Sequence, residues 1–333
     1  MRGIRFESTG QAHVVPLPTP SAGPGEVVVK VTSTGVCGSD LSALSGKHIF
    51  RIPPLISGHE AGGIVHELGE GATGFSVGDR VVIDPQRVCG NCSKCSSGRY
   101  HLCPHKQMLG ISEWDGSFAD LVTVPEYTLI PAPAGVSDEH LALAEPIAVA
   151  VHAVNRVDLS HVSRALVLGG GTIGSLITRV LSARGVDTVD VVEPRSFLTE
   201  TLSTLGASNV YEPSALPSGE DQYDAVFVAA GVPALLDTAF ERITTGGTIV
   251  QVAVFATGHE VPVGQVQVKE ISFLGTAMYV RQYFVEALEI LARYPELADL
   301  LVTRSTTLEE GAGLITTMAA EGPGDILKLV MVP

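Results

Sequence analysis

The run Ala165-Leu166-Val167-Leu168-Gly169-Gly170-Gly171-Thr172-Ile173-Gly174 decides how this chain is read. Four apolar residues predict a buried strand, and the stretch that follows, to Ala183, predicts a helix. Between them Gly169, Gly171 and Gly174 spell G-x-G-x-x-G. A second strand is expected over Thr188–Val192, closed by Glu193 nineteen residues after Gly174. A glycine loop alone is common. Set between a strand and a helix, with an acid after the next strand, it is a dinucleotide-binding fingerprint. The first glycine permits the tight turn, the second lets backbone approach a pyrophosphate, and the third lets helix and strand pack closely. The helix start, with Thr172 and Ile173, points N–H donors at phosphates. Glu193 suits the ribose hydroxyls and repels a 2′-phosphate, which favours NAD over NADP. Arg195, two residues on, can accommodate that phosphate.

Further strands are expected over 225–228, 248–252 and 271–274, with helical stretches between some of them. That alternation argues for a parallel sheet covered on both faces. Upstream the texture differs. The first 145 or so residues are rich in Gly, Pro and short β-branched runs, with strands expected over 27–31, 62–65 and Arg80–Ile83. This reads as an all-β module with few helices. A helical pattern over 148–156 marks the change. Beyond Gly275 a helix is expected over 284–292, and the apolar tail 327–332 is expected to rejoin the first domain.

The chain has 333 residues, 45 % hydrophobic and 17 % charged, enough for two domains with a large core. Its net charge of −15 speaks against nucleic acid or an anionic membrane as partner, since both need a basic face. No signal peptide and no apolar run of about 18 residues is seen, so a cytoplasmic location is expected.

Four of the five cysteines, Cys89, Cys92, Cys95 and Cys103, stand in one run, C-x2-C-x2-C-x7-C. So close together they make two unstrained disulfides difficult, but they can wrap one zinc ion in a closed tetrahedron. The fifth, Cys37, stands apart, in Gly35-Val36-Cys37-Gly38-Ser39-Asp40. His59 and Glu60 follow in Gly58-His59-Glu60, and Glu145 precedes Pro146 at the domain junction. Thiolate, imidazole and carboxylate are all zinc donors, and three of them leave a fourth position open. Taken singly, a buried Cys or His is as readily a core residue.

In Gly58-His59-Glu60-x-x-Gly63, with Gly69 and Ala72 beyond, in the four-cysteine lobe, in Cys37-Gly38-Ser39-Asp40, in Glu145-Pro146 and in the glycine loop, the chain resembles the zinc-dependent medium-chain dehydrogenases. Within that family it is most similar to the polyol, threonine and butanediol dehydrogenase branch. The resemblance spans the whole chain. It implies an α/β protein: a GroES-like β domain over 1–147 with a zinc lobe near 86–105, a Rossmann doubly wound parallel-sheet domain over 148–280, and a return over 281–333. It implies a catalytic zinc on Cys37, His59 and Glu60 or Glu145, a structural zinc on the four-cysteine lobe, NAD or NADP, and a homo-oligomer, dimer or tetramer. It implies hydride transfer between a secondary alcohol and the nicotinamide, giving a ketone. Ser39 would take the hydroxyl proton.

Some positions depart from close relatives. Where many members carry a relay His, this chain has Ser42; His48 is within reach as a substitute, or is a solvated loop residue. Ala43 and Met278 stand where sorbitol-type enzymes place an aromatic and an Arg, which argues against sorbitol itself. Phe118 and Tyr279 are pocket walls or core. One rival reading shares every motif, a ketoreductase or cyclitol dehydrogenase of a specialised pathway; a second, a zinc- and nucleotide-binding protein without catalysis, is opposed by the intact set Cys37, Ser39, His59, Glu60 and Glu145.

Overall fold

The computed structural model describes residues 1–333 apart from 112, 220–221 and 256–257. The chain forms two units, Pro146–Tyr279 and Met1–Glu145 with Val280–Pro333.

In the unit Pro146–Tyr279, six parallel strands run in the order Asn209–Tyr211, Thr188–Val192, Arg164–Leu168, Tyr223–Val228, Ile243–Gln251, Ser272–Gly275. In chain order this is 3-2-1-4-5-6, a doubly wound sheet. The central strand Arg164–Leu168 is buried at every residue after its first, as expected for a strand with both faces covered. Leu166, Leu168, Val226, Val228 and Ile249 form one core with Ala239 and Phe240 of the helix Ala234–Arg242. The strand expected over 248–252 starts earlier, at Ile243. Tyr223 faces Ile243 but Ala225 faces Thr248, so extra residues bulge out through Gly246 at φ +77. A bulge breaks the alternation from which strand ends are read. The strand order reverses between Arg164–Leu168 and Tyr223–Val228, and the glycine loop sits at that switch point, where doubly wound sheets bind ligands.

The other unit is built on the strand Glu26–Gly35. It pairs antiparallel with Glu60–Leu68 and Leu121–Pro125, and its far end takes in Lys328–Met331, with Val330 opposite Gly35. The tail thus pairs with a strand from the first part of the chain. Val27, Val29, Val31, Val65 and Val81 make one core. A second gathers Phe6, Leu44, Phe118, Ile315 and Met331. The hairpin Arg2–Ser8 and Gln11–Pro16 was not expected from the sequence; its turn is closed by Gly10 at φ +75. Among the described residues no helix is long and apolar enough to cross a membrane.

Candidate active site

Strand register brings the first donor set together. Cys37 lies two residues beyond the end of Glu26–Gly35 and precedes the helix Gly38–Leu44. The neighbouring strand starts at Glu60, which faces Gly35 across the ladder, with His59 just before it. Donor atoms of Cys37, His59 and Glu60 consequently lie within 4.8 Å of one another. Side chains far apart in sequence converge because both strand ends stop at the same edge of the sheet.

A buried polar layer backs these donors. Asp40 is fully buried. Its Oδ2 accepts from the Cys37 backbone N–H at 3.0 Å, and its Oδ1 accepts from Ser57 Oγ at 2.6 Å and Arg51 Nη1 at 3.3 Å. The same Oδ1 stands 3.6 Å from His59 Nδ1. Arg51 is itself buried and also donates to the carbonyls of Gly110 at 3.2 Å and Leu109 at 3.4 Å. Two opposite charges out of water are tolerable only when paired and bonded in this way. Burial works against the Asp40 charge, but His59, Arg51 and Ser57 outweigh it and hold the carboxyl far below the usual range.

The residues fit a metal ion. Thiolate, imidazole and carboxylate are a zinc donor set, and a carboxylate against the other ring nitrogen is how a metal-bound histidine is oriented. His59 Nδ1 is buried, with no hydrogen-bond partner. Burial and the Arg51 charge oppose protonation of that ring, yet Asp40 and the Cys37 thiol raise its pKa to about 10. A metal ion would take the neutral ring, so binding there would release a proton.

Other candidates fall around this set. Glu145 is buried in the first turn of the helix Ala144–Val154 and is not among the three donors within 4.8 Å. Ser39 is half-buried, two residues after Cys37. His48 accepts the backbone N–H groups of Phe50 at 3.1 Å and Arg51 at 3.0 Å on Nδ1, so it ties its own loop. Phe118 lies in the core against Phe6, and Tyr279 is fully buried. Met278 adopts φ +51 and its carbonyl meets His152 Nδ1 at 2.6 Å, so backbone rather than side chain is used there. Arg51, Ser57 and Lys328 were not singled out from sequence. The signal for Lys328 was a lone charge in the apolar run Leu327–Val330.

The second donor set is the cysteine lobe. All four thiols are unpaired, with sulfur separations of 3.5 Å for Cys92–Cys95, 3.5 Å for Cys89–Cys103 and 4.0 Å for Cys89–Cys95. Zinc–sulfur bonds of about 2.3 Å in a tetrahedron require edges of about 3.8 Å, so the lobe has the size the ion needs. The Asn91 backbone amide lowers the Cys89 thiol, whereas burial and neighbouring thiols raise Cys95.

In the other unit the glycine loop opens the helix Thr172–Ala183, with Gly171 at its N-cap. Gly169 adopts φ +103. A Cβ on Gly174 would stand 1.7 Å from the Gly169 carbonyl oxygen, so loop and helix meet at a distance only glycine allows. Glu193 is buried at the end of Thr188–Val192. Its Oε2 accepts from Gly170 N at 2.9 Å and from Arg195 Nη2 at 3.1 Å, and its Oε1 accepts from Arg195 Nε at 2.8 Å. Burial opposes the Glu193 charge, but Arg195 and the Gly170 amide hold its pKa below the usual value.

Comparison with known proteins agrees with this layout. Residues 23–134 match the alcohol dehydrogenase GroES-like domain and residues 172–293 the zinc-binding dehydrogenase domain. The chain is 35 % identical to 2-dehydro-3-deoxy-L-galactonate 5-dehydrogenase of Pseudoalteromonas atlantica, over 80 % of each protein. It is 32 % identical to (R,R)-butanediol dehydrogenase of Bacillus subtilis, over 98 % of this chain and 96 % of that one. Among solved structures, a zinc-binding dehydrogenase of Sinorhizobium meliloti bound to NADP superposes with a TM-score of 0.90 at 29 % identity, covering 100 % of this chain and 99 % of that one. Two zinc-type donor sets on a GroES-like unit, a glycine loop on a doubly wound sheet and these matches lead to one conclusion: the chain is an oxidoreductase of the zinc-dependent medium-chain dehydrogenase family.

Proposed function

We propose that this protein oxidises a secondary alcohol of a diol, polyol, cyclitol, amino alcohol or sugar acid to the ketone, or runs the reverse reduction, with NAD or NADP and two zinc ions per chain. The observation that carries the reading is the convergence of Cys37, His59 and Glu60 over a buried Asp40–Arg51 layer. A purely structural site gains nothing from three donors and a fourth open position. Its relatives' names supply the substrate class: a butanediol in one, a deoxy sugar acid in the other.

Cys37, His59 and Glu60 hold the catalytic ion. Asp40 orients His59 and pins the Cys37 backbone, so donor geometry is set before substrate arrives. Glu145 is the alternative carboxylate donor. When bound, zinc supplies Lewis acidity toward the substrate oxygen and nicotinamide supplies the hydride acceptor. Ser39 receives the hydroxyl proton and returns it in the reverse direction. With Ser42 in the relay position and His48 bonded to its own loop, the proton reaches solvent through water or cofactor hydroxyls. Gly169, Gly171, Thr172, Ile173 and Gly174 bind the pyrophosphate, and Glu193 the adenosine ribose, which favours NAD. Arg195 neutralises Glu193 and keeps NADP within reach. Cys89, Cys92, Cys95 and Cys103 hold the structural ion. Free thiols suit a reducing compartment such as the cytoplasm. We also propose a homo-oligomer, which light scattering checks.

The test is NADH or NADPH formation from a panel of diols, polyols, cyclitols, amino alcohols and sugar acids. Turnover of at least one class by zinc-loaded protein is expected. Silence across the panel, with zinc and dinucleotide bound, would favour a non-catalytic binding protein.

A further inference from the structure

Lys328 is buried, and its ammonium contacts two partners. It donates to the Val36 carbonyl oxygen at 2.9 Å, one residue before Cys37, and it pairs with Glu60 Oε2. The pair closes a sequence separation of 268 residues. The returning strand Lys328–Met331 therefore adds a side chain to the donor set as well as a strand to the sheet. Gly35 makes room for it. A Cβ there would stand 2.1 Å from Glu60 Oε2 and 3.2 Å from Lys328 Nζ.

A carboxylate with one oxygen on an ammonium has less charge and fewer lone pairs to give a metal ion. We infer that Lys328 is a positioning residue that keeps Glu60 a one-oxygen, readily displaced donor, so that substrate can take its place. This rests on the proposed reading of Cys37, His59 and Glu60 as metal donors. Two physical consequences share one sign. Without Lys328 a divalent ion meets one less positive charge at close range. And Glu60 is left buried without a cation until a metal ion arrives, so binding the ion relieves the apo protein. Loss of Lys328 should thus tighten the metal site. A residue that merely props up the fold would loosen it when removed, the usual outcome of disturbing groups behind a metal ligand.

The test uses the full chain with zinc in the cysteine lobe and cobalt(II) at the Cys37 site, the visible band of cobalt being the part that Cys37→Ser removes. Lys328→Met should bind cobalt at that site about tenfold more tightly or better, the effect of removing one like charge at close range. Its band should weaken, as a second carboxylate oxygen raises the coordination number, and kcat should fall more than KM rises. Lys328→Arg should keep the wild-type band. In a Glu60→Gln background Lys328→Met should leave the band unchanged, and the gain in affinity should shrink to the part due to the lost positive charge. Should Lys328→Met not fold, Gly35→Ala parts the same pair and should move the band the same way. Unchanged or weaker cobalt binding by folded Lys328→Met would overturn the inference. A wild type with no Cys37-dependent cobalt band would instead overturn the metal reading beneath it.

Discussion

Asp40→Asn tests the layer behind the proposed metal donors. The substitution keeps shape and removes one charge. It leaves Arg51, 4 % exposed, facing a neutral amide instead of a carboxylate. Removing one partner of a buried pair costs about 3–5 kcal/mol, because the other charge remains out of water. Arg51 retains the Gly110 and Leu109 carbonyls, which places the expected loss near the lower end, about 3 kcal/mol. In a unit of this size that lowers the melting temperature by roughly 6–12 °C. His59 also loses the carboxylate that orients it, so zinc affinity at the Cys37 site should fall 10- to 100-fold, that is by about 1.4–2.8 kcal/mol. Scanning calorimetry of the apo protein reads the first effect and a zinc titration against a chelating dye the second. Replacing both partners, Asp40→Asn with Arg51→Met, should recover part of the stability and none of the zinc affinity. A single variant that melts with the wild type and binds zinc as tightly would show that Asp40 neither balances Arg51 nor orients His59.

Three further outcomes are expected. Cys95→Ser should lower the melting temperature and release one zinc per chain, since opening a closed tetrahedron forfeits folding energy; an unchanged melting point with full zinc content would count against a structural ion. Gly174→Ala should abolish dinucleotide binding measured by calorimetric titration, because the new Cβ falls 1.7 Å from the Gly169 carbonyl oxygen; wild-type affinity would show that the loop does not hold the cofactor. Burial pushes the Asp84 carboxyl up to about 6 despite hydrogen bonds from Tyr100 and Gln86. The folded chain then holds this proton more tightly than the unfolded one, so the Asp84 contribution to stability is lost as pH rises from about 4 through 6. Asp84→Asn should match the wild type near pH 4 and exceed it by up to about 3 kcal/mol at pH 7 in denaturant titrations; equal stability at both would remove Asp84 as the cause.

The parts that could be read from sequence are those with fixed local spacing. The glycine loop, Glu193 and the four-cysteine run depend on residues near one another in the chain, and geometry ties each spacing to its task. Cys37, His59 and Glu60 were legible through their order, although the first two stand 22 positions apart. What remained hidden depends on register. Arg51 reaches Asp40 only because its loop folds back under Gly110, and Lys328 reaches Glu60 only because the last strand pairs beside Gly35. No local pattern encodes such encounters; a lone cation in an apolar strand is the nearest warning. Asp40 stood in the quoted motif, yet its burial could not be read from one turn of helix. The N-terminal hairpin escaped because its turn, Thr9-Gly10, is short and its strands carry as many polar as apolar residues.

Two different metal sites on one chain are the feature from which the proposed chemistry follows. Elemental analysis of fully loaded protein, wild type against Cys37→Ser, tests it most directly. Two zinc ions per wild-type chain are expected and one in the variant, which stays folded and loses turnover. A wild-type chain holding a single ion, retained by the variant, would contradict it.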